Sequence, residues 1–291
     1  MNLKKRFYTL KKEIKMKKLL SLIFVASLAF VGCGDDKNKS ADSSDSNKTE
    51  KQDKIVLKVG ATPVPHAEIL EFVKPDLAEQ GIDLQVVSFT DYVLPNISLN
   101  DGSLDANFHQ HKPFLDALKA DKGLKLESIA SIHLEPLGLY SSKIKSIDEL
   151  PQNATIAIPN DPSNGGRALL LLEAKGLVKL KDSSNLTSTE LDIVENAKGI
   201  KIKPVEAALL PRTLNDVDAA VINGNYALQA GLKSTDALEL EGKESPYANI
   251  LVVQESRVND EALQKLKNAL QSQKVKDFIE TQYKGEIVPA F

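Results

Sequence analysis

The chain has 291 residues, 42% of them hydrophobic, 5% aromatic and 26% charged, with a formal charge of −3. That length allows one large domain or two lobes, and the mild acidity gives no electrostatic case for nucleic acid. A single cysteine excludes a disulfide framework.

The N-terminus comes first. Lys17 and Lys18 precede Leu19–Gly32, fourteen residues without a charge, and then Cys33-Gly34. A basic stretch, a short apolar run and small residues at the cut mark a secretory signal peptide. Fourteen residues fall short of the ~20 that span a bilayer as a helix. Cys33 directly after Gly32 reads as a bacterial lipobox, with Phe30 where leucine is usual. Residues 1–32 are therefore the expected signal peptide, with Met16 the expected start. Acylated Cys33 becomes the new N-terminus and has no thiol left for catalysis or metal. Removing 1–32 removes eight Lys/Arg and one Glu, which takes the charge from −3 to −10. Residues 34–54 hold one alanine and no larger apolar side chain. Such a segment cannot bury enough surface to order itself, so 33–54 is read as a lipidated tether.

From Ile55 strands and helices alternate. The β-branched run Ile55–Ala61 predicts a strand, and apolar residues at 69, 70, 73 and 77 predict a helix over His66–Gln80, stopped by Gly81. Strand Ile82–Phe89, short helix Tyr92–Asn100, strand Leu104–Phe108 and helix Lys112–Ala120 follow, with Pro113 tolerated in the first turn. Strands are predicted at Ser128–His133, Leu137–Ser142 and Ala154–Ile158. A helix over Asn164–Lys175 ends at Gly176. Then come strand Ile200–Val205, short helix Ala207–Leu214, strand Ala219–Ile222, helix Tyr226–Gly231, strand Asn249–Val253 and two final helices. Alternation of this kind argues for α/β with mostly parallel sheets. Connections near 134–145 and 241–250 suggest a lobe that leaves and returns. Lobe 1 is expected over 55–135 plus 250–291, and lobe 2 over 136–249.

Unusual polar residues fall at strand ends, where open α/β sheets bind ligands. His109 and His111 lie two apart and share a face if their strand continues. They suit a small-molecule cleft, a metal, or plain satisfaction by local backbone. A metal needs three or four ligands, and His66 and His133 lie at other strand ends. In Asn160–Leu172, a glycine-rich loop opens a helix, a place that attracts anions. Gly165 and Gly166 would let a ligand approach the backbone. Arg167 in a first turn opposes the helix dipole, as a residue held by function would, and its fork suits a carboxylate. It also reads as a surface arginine covering apolar neighbours. Asn223, just past an apolar strand, and Asn249, near a lobe connection, offer amides. The sequence has no G-x-S-x-G or H-E-x-x-H motif, so no enzyme is expected.

Taken together, Tyr92 in Phe89–Tyr92, Asp105–Pro113, Asn160–Arg167, Glu206–Arg212, Ala219–Tyr226 and Ser245–Asn249 resemble the NlpA family of lipoproteins, methionine-binding components of ABC importers. The likeness covers residues 54–291 and the lipobox. It implies a two-lobed periplasmic-binding-protein fold, type II-like, with the ligand cleft between lobes. It implies that Arg167 binds the α-carboxylate, that Asn223 and Asn249 hold the backbone polar groups, and that Tyr92, Phe108, His109 and His111 line the pocket. The family usually has an aromatic, often Phe, at the position of His109. No cofactor is implied. The implied partners are L-methionine or a related amino acid, ABC permease and ATPase subunits, and the membrane through the lipid. The implied place is the bacterial cell membrane, facing the periplasm or cell exterior. The alternatives are a metal-binding lipoprotein using His109 and His111, and an adhesin-like surface lipoprotein.

Overall fold

The computed structural model describes residues 54–242 and 245–291. The expected signal peptide, Cys33 and all of the tether but Lys54 lie outside the described residues. The chain first forms β1 (Ile55–Ala61), α1 (Glu68–Glu79), β2 (Ile82–Ser88), α2 (Leu94–Asn100), β3 (Ala106–His111), α3 (Lys112–Lys122) and β4 (Leu126–Leu134). It then forms β5 (Gly138–Tyr140), β6 (Thr155–Pro159), α4 (Pro162–Ala174), β7 (Lys179–Leu180), β8 (Ile193–Glu195), β9 (Lys201–Val205), α5 (Leu210–Thr213), β10 (Ala219–Ile222), α6 (Gly224–Gln229) and β11 (Ala237–Leu240). It returns through β12 (Asn249–Gln254), α7 (Glu261–Leu270), α8 (Gln273–Tyr283) and β13 (Val288–Pro289).

Two main sheets result, in the orders β13-β4-β12-β3-β1-β2 and β11-β5-β10-β6-β9. Both are mixed, not mostly parallel as the alternation predicts. β1 runs parallel to β2 and β3, but the returning β12 inserts antiparallel between β3 and β4. β10 is parallel to β6 and antiparallel to β5. A strand that comes back after a long excursion enters from the opposite end, and no local pattern announces its direction.

Each sheet buries its own helices. Ile69, Leu70, Val73 and Leu77 of α1 pack with Leu263 and Leu266 of α7 and Ile279 of α8 over the first sheet. This is the apolar stripe of an amphipathic helix. Each such side chain contributes ~1.5–3 kcal/mol when fully buried. Over the second sheet, Ala168, Leu169 and Leu172 of α4 meet Ile156 and Val221.

Two local departures shape the site. Helix α1 starts at Glu68, two residues later than its periodicity predicts. Val64 is extended, with φ −127° and ψ 133°, and His66 lies on the turn before the helix. β3 runs on to His111 instead of stopping at Phe108. Its register on β12 slips by one residue, Leu251 facing Phe108 and Ile250 facing Gln110, so His109 is the extra residue of a β-bulge. Asn249 pairs with His111 on one side and His133 on the other, inside the first sheet.

Candidate functional site

Where the strand ends of the two sheets meet, a small cavity is lined from both sides. Tyr92, His109, His111, Phe114 and Asn249 reach it from the first sheet and its helices. Asn164, Arg167, Asn223, Gly224 and Asn225 reach it from the second. Glu135, on the crossover between β4 and β5, completes the wall. Six of the seven predicted binding residues therefore face one space. The seventh, Phe108, does not. It is fully buried behind the site, its ring edge-on to His66 at 4.8 Å and His133 at 5.3 Å. The bulge at His109 resets the alternation of β3 and leaves Phe108 in the core.

Arg167 is 4% exposed and almost fully committed. Its Nε donates to Glu241 Oε1 at 2.9 Å, and its Nη2 donates to Glu241 Oε2 and to the main-chain oxygen of Glu135 at 2.9 Å. The ring of Tyr247 lies 4.3 Å from the guanidinium carbon. Only Nη1 makes no hydrogen bond among the described residues. Arg167 is also the sixth residue of α4, not part of its first turn. The conflict with the helix dipole that the sequence suggests does not arise. Nor is the helix N-terminus open to an anion, because Asp161 caps it and accepts from Asn164 N at 2.9 Å. The two glycines serve the protein too. A Cβ at Gly166 would lie 2.9 Å from Thr187 Cα and closer still to Leu186 O, and one at Gly165 would lie 3.0 Å from Pro159 O. They admit neighbouring backbone, not a ligand.

His111 ties the two sheets together. Its Nδ1 accepts from Phe114 N at 3.2 Å as the cap of α3, so Nε2 carries the proton and donates to Asn164 Oδ1 at 3.0 Å. Asn164 Oδ1 also accepts from Asn223 Nδ2 at 2.8 Å. That leaves Asn223 Oδ1 buried and unpartnered among the described residues, along with Asn225 Nδ2 and His109 Nδ1. Tyr92 donates its hydroxyl proton to Asn225 Oδ1 at 2.5 Å, a second bridge between the sheets.

Glu135 is one residue that sequence reasoning missed. It is buried, its Oε1 accepts from His133 Nε2 at 2.7 Å, and His66 Nε2 lies 3.2 Å from the same oxygen. Its Oε2 accepts from Asn225 N at 2.8 Å. Burial alone would push its carboxyl up, but the neighbouring imidazoles and N–H donors outweigh it and hold the group below the usual range. No Lys or Arg side chain reaches this carboxylate among the described residues. Burial pushes His66 down to about 4, and His109 and His111 to about 3, so these rings are neutral above that range. The cavity holds a guanidinium with one free nitrogen, a buried carboxylate and unpaired amide atoms. That arrangement can bind a small zwitterion.

Among the described residues, no third ligand stands beside His109 and His111 for the metal alternative. The group that does converge is His66, His133 and Glu135, with ligand atoms within 4.8 Å of one another. Its oxygen and both Nε2 atoms are engaged with each other, and His66 Nδ1 accepts from Thr62 Oγ1 at 2.7 Å.

Comparison with known proteins gives the family. The model of the NlpA lipoprotein family matches residues 57–291. The chain belongs to the NlpA lipoprotein family. It is 43% identical over 267 residues to the D-methionine-binding lipoprotein MetQ of Escherichia coli strain K12, covering 91% of this chain and 94% of that one. It is 44% identical over 264 residues to outer membrane lipoprotein 2 of Mannheimia haemolytica, covering 90% and 94%. A nutrient binding protein from Burkholderia cenocepacia, solved bound to methionine, superposes with a TM-score of 0.78 at 46% identity, over 81% of this chain and all of that one. This NlpA lipoprotein therefore has the two-lobed periplasmic-binding fold, with its cleft between the lobes.

The signals for the missed groups were faint. Glu135 stands between a buried strand and Pro136, next to His133, in a segment that reads only as a connection. Gly224 marks its place from the other lobe, because a Cβ there would lie 2.8 Å from Glu135 Cβ. Glu241 lies in another predicted connection, and nothing local links it to Arg167, 74 residues away.

Proposed function

We propose that this chain is the substrate-binding lipoprotein of an ABC importer, capturing L-methionine or a close relative and delivering it to a membrane permease. Arg167 Nη1 takes the α-carboxylate. Glu135 and Asn223 Oδ1 take the ammonium, and Asn249 braces this end through His66 Nε2, which donates to its Oδ1 at 3.0 Å. Tyr92, Phe114 and His109 wall the side chain. The lobes are residues 55–135 with 249–291, and 136–248, one residue off the expected boundary because Asn249 opens β12 of the first sheet, and they hinge at the two crossovers. Closure brings the His111–Asn164 and Tyr92–Asn225 bonds together over the ligand, a hinge motion around a bound solute. The protein binds and does not transform its ligand.

The observation that carries this reading is that opposite charges line one cavity, a committed arginine with one nitrogen unbonded and a buried carboxylate that no Lys or Arg side chain reaches among the described residues. Membership of a lipoprotein family supports anchoring through Cys33, on the periplasmic or outer face. No helix among the described residues is long and apolar enough to cross a membrane. Native mass spectrometry of the purified soluble part tests the reading. The expected result is a bound mass equal to methionine that is exchanged by added L-methionine. Protein that neither carries nor takes up any amino acid would overturn it.

A further inference from the structure

His109 sits at the bulge of β3, 2% exposed, among the residues that line the cavity. Its Nε2 lies 3.1 Å from the main-chain oxygen of Tyr92. A carbonyl oxygen only accepts, so in the neutral ring Nε2 carries the proton and Nδ1 keeps a bare lone pair. That Nδ1 is buried and has no partner among the described residues. A buried acceptor without a donor is unfavourable, and a ligand that supplies the donor gains over one that does not.

The place of this lone pair decides what it reads. Arg167 stacks on Tyr247, which meets His111 at 4.9 Å. His111 meets Phe114 at 6.3 Å, Phe114 meets Tyr92 at 5.7 Å, and Tyr92 meets His109 at 6.1 Å. Four aromatic groups thus stand between the guanidinium and His109. Arg167 and His109 line the same cavity, so an amino acid held at Arg167 by its carboxylate would present its side chain to His109.

We propose that His109 is a specificity-determining residue that favours amino acids whose side chain ends in a hydrogen-bond donor over equally long ones that end in a methyl group. This rests on the amino-acid reading above and deepens it. The Arg167 end selects amino acids as a class, and the His109 end ranks them. A site that hydrogen-bonds a substrate group discriminates against the analogue lacking it, because its own polar atom is then left unpaired.

The test uses two ligands of equal size, L-norleucine and 5-hydroxy-L-norvaline, which differ in a terminal methyl against a hydroxyl. Both are titrated calorimetrically into the parent and into His109→Phe, with L-methionine run in parallel. The expected result is that the preference for the hydroxyl ligand over norleucine falls about tenfold in His109→Phe. A change of threefold or less, with L-methionine binding both proteins, overturns the proposal; a water held at Nδ1 would give that result. If His109→Phe does not fold, His109→Leu is measured against the same criterion. If the parent binds none of the three ligands, the amino-acid reading itself fails, and the two failures are told apart.

Discussion

Arg167 and Glu241 form a two-point ion pair in which Nε and Nη2 of the guanidinium face the two carboxylate oxygens. Arg167 is 4% exposed and the Glu241 side chain 16%. With Nη2 also on the main-chain oxygen of Glu135, Nη1 is the one guanidinium nitrogen without a hydrogen bond among the described residues, and under the proposed function it is the one that meets the ligand. The fork formed by Nε and Nη2 is thus taken by Glu241, and Nη1 is what the arginine has left to offer a carboxylate. Glu241→Gln keeps the shape but weakens the grip. We expect about tenfold weaker methionine binding, in line with a hydrogen bond to a charged group. Titration of Glu241→Gln checks this, and parent-like affinity would remove Glu241 from the site.

Asn223→Ala removes the unpartnered Oδ1 and the bond to Asn164 together. The loss of a hydrogen bond to a charged group is ~1.5–3 kcal/mol, about ten- to a hundredfold in affinity. Asn249→Ala should weaken binding and also lower stability, since it strips His66 Nε2 of one acceptor. Thermal melts without ligand separate the two. Asn223→Ala should melt close to the parent, and Asn249→Ala should melt several degrees lower.

The buried histidines set the pH behaviour. His66, His109 and His111 have folded values of about 4, 3 and 3, well under the ordinary 6.5. Below pH 6.5 the unfolded chain takes up protons that the folded chain refuses, so stability falls as the pH drops toward 4. Glu135 acts in the same direction, because its lowered carboxyl gives stability that is lost on acidification. The melting temperature should thus fall from pH 6.5 to pH 4. Methionine affinity should stay flat from pH 5 to 8, since these three rings stay neutral there. A change above threefold in that range, measured by titration at each pH, would show that one of them titrates in the cleft.

Gly166→Ala tests whether the glycines of α4 serve packing. The new Cβ would press on the backbone of Leu186 and Thr187. Overpacking of this kind typically costs ~1–3 kcal/mol. Chemical denaturation should show that loss, and an unchanged midpoint would mean that the 186–187 loop yields freely.

Cys33→Ser should release the protein from membranes without changing ligand affinity. A diacylglyceryl group supplies the two chains that stable anchoring takes. Fractionation of cells should place the parent in the membrane pellet. The variant should be soluble in the envelope or retained as uncleaved precursor. Parent protein found wholly in the cytosol would contradict the lipoprotein reading.

The elements that carry the fold were largely legible. Period-2 and period-3.6 patterns place β1, α1, β6 and α4 within a few residues, because their buried faces are continuous. The two-residue strands β7 and β13 were not, since so short a run has no period. Asn223 stood out just past an apolar strand, Arg167 at a helix start behind a glycine-rich loop, and Asn249 near a lobe connection. His109 and His111 stood out as well, but the bulge that turns Phe108 into the core did not, because a one-residue slip depends on the partner strand. Glu135 and Glu241 were hidden for a related reason. Their roles exist only after residues far apart in sequence close on one another, and each alone reads as a solvated acid in a connection.

Under the proposed function, Arg167 holds the carboxylate of an amino acid within this cavity. Calorimetric titration of L-methionine into the parent and into Arg167→Ala, both checked for the same thermal transition, tests it most directly. Truncating one partner of a buried charge pair costs ~2–5 kcal/mol, so the variant should bind about 30-fold to several thousandfold more weakly. An affinity within threefold of the parent would contradict the account and place the ligand elsewhere.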